Sequence, residues 1–545
     1  MSSNVSTRAA LAVASGLALA LSFPKFDLGF AAWIAFVPLL YAVEGESPRR
    51  VFAYAWLQGL ACYIPSLYWI VFTLHNFAGV AVALAIIPMV LLAAVVALYS
   101  AAAIAAAELV TARLALPIVI TLPITWTALE WVRTYFPIGF PWNLLGYAAY
   151  QNLTLIQFAE FTGVYGISAL IIFFNAVVYT VLFRRGGWRT QGISLATLST
   201  LLVAAWTFGS IRVKGLAHAA PAGSIKVAMV QGDIPQSIKW DPNFLASSFD
   251  VYIDQSERAA RMGADLIVWP EAAAAFFFQP EDRYPAAFAN DEAYRSKLLA
   301  LATRTGDAIL FGAPALGVED NRVGFYNRAY LVTGDGKVAA WYDKINLVPF
   351  GEYVPLRDLL GGLVNRIVKG FGDMFPGHAQ TIFNFKGARL GVLICYESVF
   401  PNLSRSAVKD GADILVNITN DAWYGETSAP YQLLAMAAMR SIETKTPMVR
   451  VANTGISALI EPDGEITERT PLFKRGTEIE QVEWRPVTTV YTEVGDVFAI
   501  ACFVLALAGL LAAFLFPQLS GSHPELAEPI IGANGASPMI KKKTH

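Results

Sequence analysis

The sequence predicts a multi-pass α-helical membrane bundle of about eight spans, with one α/β globular unit inserted before the last span. Three observations predict it. First, 55% of the 545 residues are hydrophobic and only 15% are charged, with a mean hydropathy of +0.48; soluble domains usually carry roughly 25% charged residues. Second, several apolar runs approach the roughly 20 residues that a bilayer crossing needs. Third, the composition changes to ordinary globular polarity from about residue 222 to 487. The net charge is −2, and no Lys/Arg-rich groove or aromatic RNA-binding signature is present, so nucleic acid is not an expected partner.

In chain order, the apolar runs are 9–24, 28–44, 52–74, 79–108, 114–132, 165–184, 193–211 and 492–516. The first is read as a retained span, because no convincing small-residue cleavage site is found and further apolar segments follow at once. Run 79–108 is long for one span; tilt or a bend at Pro88 absorbs the excess. The expected organisation is a transmembrane bundle over 1–221, a globular domain over 222–487, a C-terminal transmembrane helix over 488–517 and a polar tail over 518–545. Basic residues in short loops orient the bundle. Arg8, Arg49, Arg50, Arg113, Arg184, Arg185, Arg189, Lys541, Lys542 and Lys543 fall on one side, taken as cytoplasmic; Lys25 and Arg133 fall on the other. Seven spans precede the globular domain, which therefore lies outside. Segment 133–164 is aromatic and broken by Pro137 and Pro141. It suits an interfacial aromatic belt and a substrate floor equally well.

The globular domain contains short Val/Ile-rich runs: "SIKVAMVQG" (224–232), "ADLIVWPE" (264–271), "DAILFGAP" (307–314), "NRAYLVTG" (327–334), "GARLGVLICYES" (387–398), "ADILVNITND" (412–421), "TPMVRVANTG" (446–455) and "ISALIEPDG" (456–464). Helical patterns at 245–262, 290–305 and 430–444 lie between them, which predicts an α/β unit. The "GDG" turn between 327–334 and 337–342 predicts a hairpin, hence a mixed sheet. The three cysteines (Cys62, Cys395, Cys502) form no CxxC pair, and the five histidines are scattered. No metal site or cofactor is expected.

Chemistry in α/β units collects where strands end. Three run ends carry reactive groups: Glu271 after "LIVWP", Lys344 followed by Glu352 in "DKINLVPFGE", and Cys395 followed by Tyr396 and Glu397 in "ICYE". A buried cysteine is often inert packing. Cys395 is, however, the only cysteine of a domain placed outside the cytoplasm, where a free thiol is a liability unless used. The fragment alone supports packing and catalysis equally. Burial after four apolar residues is expected to raise the pKa of Glu271 and suit it to general-base work, against the plainer reading of a helix cap or surface charge. Lys344 fits an ammonium that stabilises a thiolate or oxyanion, or a surface lysine paired with Asp343.

Glu271 in "VWPE", Lys344 in "DKINLVPFGE" and Cys395 in "ICYE" resemble the Glu-Lys-Cys triad of the nitrilase, or carbon–nitrogen hydrolase, superfamily. With the surrounding bundle, and with "VQGDIPQSIKW", "FGEYVPL", "NITNDAWYG" and "GFPWNLLGY", the chain resembles the membrane-embedded apolipoprotein N-acyltransferase branch. Thr419 and Tyr424 depart conservatively from that pattern. The resemblance covers nearly the whole chain up to about residue 517. It implies an αββα sandwich, the bacterial inner membrane and a periplasmic catalytic domain. It also implies a two-step transfer of the sn-1 acyl chain of a phospholipid, phosphatidylethanolamine being the expected donor. A Cys395 thioester would carry the chain to the α-amine of a diacylated apolipoprotein. Glu352, Glu397 and Tyr396 are implied as supporting residues, and Trp423, Tyr424, Asn420, Asp421 and, less specifically, Trp240 as mouth residues.

A thioester must be shielded from water. The apolar loop "AAAAFFFQP" (272–280) and the amphipathic segment 355–372 fit that need. The latter is expected as an interfacial arm or lid, although amphipathic helices more often pack on their own domain. Two rivals remain: a membrane-anchored amidase that passes the acyl group to water, and a transporter with an external domain. Transport usually leaves ionisable residues inside spans, and Glu108 and Glu130 lie near span ends.

Overall fold

The computed structural model describes residues 4–137, 139–183, 187–279, 291–319, 321–353 and 374–516. The segment expected as an arm (355–372), Arg184, Arg185 and the tail with Lys541, Lys542 and Lys543 lie outside the described residues.

Four helices are long and apolar enough to cross a membrane: Val82–Leu114, Val164–Leu182, Trp188–His218 and Val497–Leu515. Pro48–Ser66 and Trp69–Ala78 form a pair bent by 48° that passes the same test together. Val5–Leu21 is apolar but shorter, and run 28–44 splits into a 3-10 turn, Gly29–Trp33, and a helix, Val37–Val43. Ile118–Tyr135 carries Glu130 and Arg133 on buried positions. The helical membrane part is thus present, with four or five self-sufficient spans among the described residues. Val82–Leu114 runs through Pro88 as one 33-residue helix, about 50 Å long.

Among the described residues, twelve strands follow in chain order: β1 (Gly223–Gln231), β2 (Leu266–Val268), β3 (Ala308–Glu319), β4 (Arg322–Val332), β5 (Val338–Asp343), β6 (Ile382–Phe385), β7 (Ala388–Ile394), β8 (Ile414–Thr419), β9 (Met448–Ala452), β10 (Ala458–Ile460), β11 (Ile466–Thr467) and β12 (Gly476–Trp484). They build two six-stranded sheets, β12-β1-β2-β3-β4-β5 and β11-β10-β9-β8-β7-β6. β1, β2 and β3 run parallel, as do β7, β8 and β9; the flanking pairs are antiparallel. The central parallel strands are buried on both faces, which is why they read as unbroken apolar runs.

Side chains alternate between two cores. Ala228, Val230, Ile267, Ile309 and Phe311 pack with Phe249, Leu298 and Leu301 of helices Pro242–Arg261 and Asp291–Thr305. Val227, Met229, Leu266, Val268 and Leu310 instead join the core formed with Leu390, Val392, Ile394 and Val416. This second core continues without a break through helix Ala429–Thr444 into the bundle, at Tyr147, Ile156 and Ile167. Segment 141–149, within the 133–164 stretch that suited an interfacial belt or a substrate floor, is buried in this seam: Trp142 donates to Gln432 Oε1 at 2.7 Å, and Arg440 donates to Tyr147 Oη at 3.1 Å.

Candidate active site

β7 ends at Ile394, and Cys395 opens a 3-10 turn, Cys395–Val399, with φ +53°. A non-glycine residue in the left-handed region costs on the order of 1–3 kcal/mol and concentrates at functional sites. Glu397 fixes the turn. Its carboxylate accepts from the Ile394 N–H at 2.7 Å, and from Tyr342 Oη (2.9 Å), Ile345 N (2.7 Å) and Asn346 N (3.1 Å) in and after β5. One buried carboxyl therefore ties the cysteine turn to the loop that carries Lys344. Burial pushes it up to about 7 in spite of those donors.

Glu271 stands just beyond β2, followed by Ala272 at φ +47°. Gly312 of β3 makes this approach possible, because a Cβ there would lie 2.4 Å from Ala272 N and 2.9 Å from Glu271 Cα. Glu271 Oε1 accepts from Asn327 Nδ2 at 2.7 Å and Lys344 Nζ at 3.4 Å; Oε2 accepts from Asn420 N at 2.9 Å. Lys344 also donates to Glu352 Oε1 at 2.8 Å, and Glu352 Oε2 accepts from Val348 N at 2.8 Å. The alternative partner of Lys344, Asp343, is instead held by Arg328 in a two-pronged pair of 2.6 and 2.8 Å.

Burial pushes the Glu271 carboxyl up, but the Lys344 ammonium, the Asn327 amide and the Lys239 charge outweigh it, and its pKa falls below the usual range. This corrects the expectation of a raised pKa: the sequence shows the burial and not the two cations that converge on the group. For Lys344 burial favours the neutral form, yet the carboxylates of Glu352 and Glu271 hold it charged, with its pKa raised. Burial, then the Glu271 carboxylate, push the Cys395 thiol up to about 12, against the pull of Lys344. The resting site holds a neutral thiol beside an ionised carboxylate and an ammonium.

Around these groups, Asp421 is paired with Arg450 at 2.8 Å, both side chains fully buried, and Arg450 also bonds Asn417 Oδ1. Asn417 Nδ2 donates to the Cys395 carbonyl at 3.3 Å. Tyr424 is buried against Trp69 of the bundle, with ring centroids 5.1 Å apart, and Trp423 meets Phe77 at the same spacing. Tyr396 packs on Phe400 and lies parallel to Trp142. Trp240 is 51% exposed, on the outer surface. A cavity of about 560 Å³ opens beside Tyr396 and Ile345, walled by Thr134, Tyr135 and Gly139 of the bundle end and by Tyr353, Phe375 and Phe400. Sequence reasoning missed two residues: Asn327, which bridges Glu271 and Glu352 (3.1 Å to the latter), and Lys239, buried beside exposed Trp240. The quoted stretch "VQGDIPQSIKW" contains Lys239, so that stretch was the available signal.

Two stacked mixed sheets, with a carboxylate, an ammonium and a thiol meeting beyond β2, β5 and β7, define a carbon–nitrogen-hydrolase-type unit built onto a membrane bundle. Residues 226–489 match the carbon–nitrogen hydrolase family, and residues 15–177 match the apolipoprotein N-acyltransferase N-terminal domain. The chain is 39% identical over 519 residues to the apolipoprotein N-acyltransferase of Geobacter metallireducens, covering 94% of this chain and 96% of that one. It is 33% identical over 508 residues to that of Pseudomonas syringae pv. tomato, covering 92% and 96%. Among solved structures, an amidase from Nesterenkonia sp. is 22% identical with a TM-score of 0.35, covering 48% of this chain and 90% of that one. The chain belongs to the apolipoprotein N-acyltransferase family.

Proposed function

We propose that the protein transfers the sn-1 acyl chain of a phospholipid, phosphatidylethanolamine, to the α-amine of the N-terminal S-diacylglyceryl cysteine of apolipoproteins. In the first step Cys395 Sγ attacks the ester carbonyl as its proton passes to Glu271. Lys344 and the Tyr396 N–H stabilise the oxyanion. The C–O bond breaks, Glu271 returns the proton to the departing lysophospholipid alkoxide, and a thioester remains. In the second step the acceptor amine attacks the thioester, Glu271 takes the amine proton, and the C–S bond breaks to release the amide and the restored thiol. The kinetics are ping-pong. Glu352 holds Lys344, Glu397 ties the two loops, and Tyr396, Trp423, Tyr424 and Asn420 line the mouth, with Trp240 at its outer edge; Asp421, expected at the mouth, is instead fully buried and paired with Arg450.

The observation that carries this reading is the position of the thiol: it ends a strand of the sheet whose helical layer is sealed against the bundle, so its acyl donor can arrive from lipid. An eight-span arrangement, with the bundle over 1–221, the catalytic domain over 222–487 and the last span over 488–517, fits the inner membrane with the catalytic domain periplasmic. Arg8 and Arg50 share Glu46 at one end of the bundle, while Lys25 reaches the Glu426 carbonyl of the catalytic domain. That sidedness supports the positive-inside orientation.

The test uses purified protein, phospholipid and a diacylated lipopeptide. N-acylated lipopeptide and lysophospholipid are expected in equal amounts. Accumulation of free fatty acid with unmodified lipopeptide would favour the amidase-like rival.

A further inference from the structure

Two ammonium groups converge on Glu271. Lys344 is divided between two carboxylates and lies closer to Glu352 (2.8 Å) than to Glu271 (3.4 Å). Lys239, in the loop after β1, is only 3% exposed, and its Nζ donates to the backbone carbonyl of Glu271 at 2.9 Å. Among the described residues no carboxylate oxygen lies within ion-pair distance of Lys239. A buried ammonium with no direct ion pair is costly, so its place needs a reason.

The balance of charge supplies one. Glu271 and Glu352 bring two negative charges to the site and Lys344 one positive. Asp421, behind Cys395, is already neutralised by Arg450. Glu397 is met by Tyr342 and three backbone N–H groups. The groups facing Glu271 are therefore Lys344 and Glu352 from the loop after β5, Asn327 of β4, the Asn420 N–H after β8, the Cys395 thiol after β7, and Lys239. Among the described residues, only Lys239 supplies the second positive charge. It also grips Glu271 where the chain leaves β2, just before the left-handed turn at Ala272.

We propose that Lys239 is a second positioning cation for Glu271: it clamps the carbonyl of the residue that serves as base and supplies the charge that Lys344, shared with Glu352, does not. The inference rests on Glu271 being the general base. Burial draws the Lys239 ammonium down to about 8 against the attraction of the Glu271 carboxylate, which agrees with a cation held in a costly place by the group it serves.

The test is a single-turnover acylation of Cys395, read by intact mass, with the full-length protein in phospholipid nanodiscs across roughly pH 4 to 9. Removing a neighbouring cation raises a carboxyl pKa, so the acid limb of the profile moves to higher pH. Lys239→Met is expected to move that limb up by about one pH unit and to lower the plateau about tenfold or more. Lys239→Arg, which keeps the charge, is expected to hold the limb in place. A lower plateau with an unmoved limb in Lys239→Met, or a moved limb in Lys239→Arg, overturns the proposal. If Lys239→Met does not fold, Lys239→Arg decides alone: an unmoved limb supports the proposal and a moved limb overturns it. Glu271→Gln separates the two claims. Acylation by that variant with the native profile would overturn the base assignment itself, whereas an inert Glu271→Gln beside an unmoved limb in Lys239→Met would overturn only the role of Lys239.

Discussion

Helices Pro242–Arg261 and Asp291–Thr305 cover one sheet and meet solvent; helices Pro401–Lys409 and Ala429–Thr444 cover the other, and Ala429–Thr444 meets the bundle. The first layer behaves as an ordinary amphipathic surface: Pro242–Arg261 buries seven of its 20 residues. In the second, Ala429–Thr444 is buried on all sides, with 15 of 16 residues buried. Their ion pairs differ accordingly. Arg304–Glu257 is largely solvated, with 56% and 35% of the side chains exposed, whereas Arg440–Glu443 is wholly buried. The site straddles this difference. Glu271 and Lys239 come from the solvent-backed sheet and its loops, Cys395 and Asn420 from the bundle-backed sheet. The proposed base thus stands on the solvent-backed half of the sandwich, and the proposed nucleophile on the half packed against the bundle.

Breaking the inner layer tests this contrast most severely. Arg440→Met leaves Glu443 buried without its partner and is expected to cost about 3–5 kcal/mol, read as loss of folded protein in a thermal melt monitored in detergent. Gly312→Ala acts on the outer half of the site. Its Cβ must displace the Glu271 backbone, and acylation is expected to fall roughly 10- to 100-fold with the melting temperature little changed. The thiol offers a pH test. A Cys395 thiol raised to about 12 predicts that alkylation by a small reagent rises about tenfold per unit across roughly pH 7 to 10; a plateau near neutrality would reveal a preformed thiolate instead. Arg304→Ala on the outer layer is expected to cost less than about 1 kcal/mol in the same melt. If Arg304→Ala and Arg440→Met cost the same, the distinction between the layers fails.

What could be read in the sequence follows the same physics. β2, β7 and β8 are legible because strands buried on both faces become continuous apolar runs. β12 was missed because it is an edge strand in which Gln481 breaks the alternation of glutamate and apolar residue and puts Ile479 and Val482 on opposite parity. Glu271 and Cys395 stood out because each follows such a run, and Lys344 because it follows the edge strand β5. Asn327 and Lys239 did not, since their contacts with Glu271 span 56 and 32 positions and arise only when strands and sheets stack. The direction of the Glu271 pKa was misread for the same cause. In the bundle, hydropathy located the apolar runs but not how 28–44 breaks into two short pieces, a matter of packing against neighbouring helices.

The central claim is that Cys395 carries the acyl group. The most direct measurement is the intact mass of the purified protein after incubation with phospholipid alone. A single fatty-acyl adduct is expected on Cys395, absent from Cys395→Ala and discharged when a diacylated lipopeptide is added. An unchanged mass under every condition, or an adduct that persists in Cys395→Ala, would contradict it.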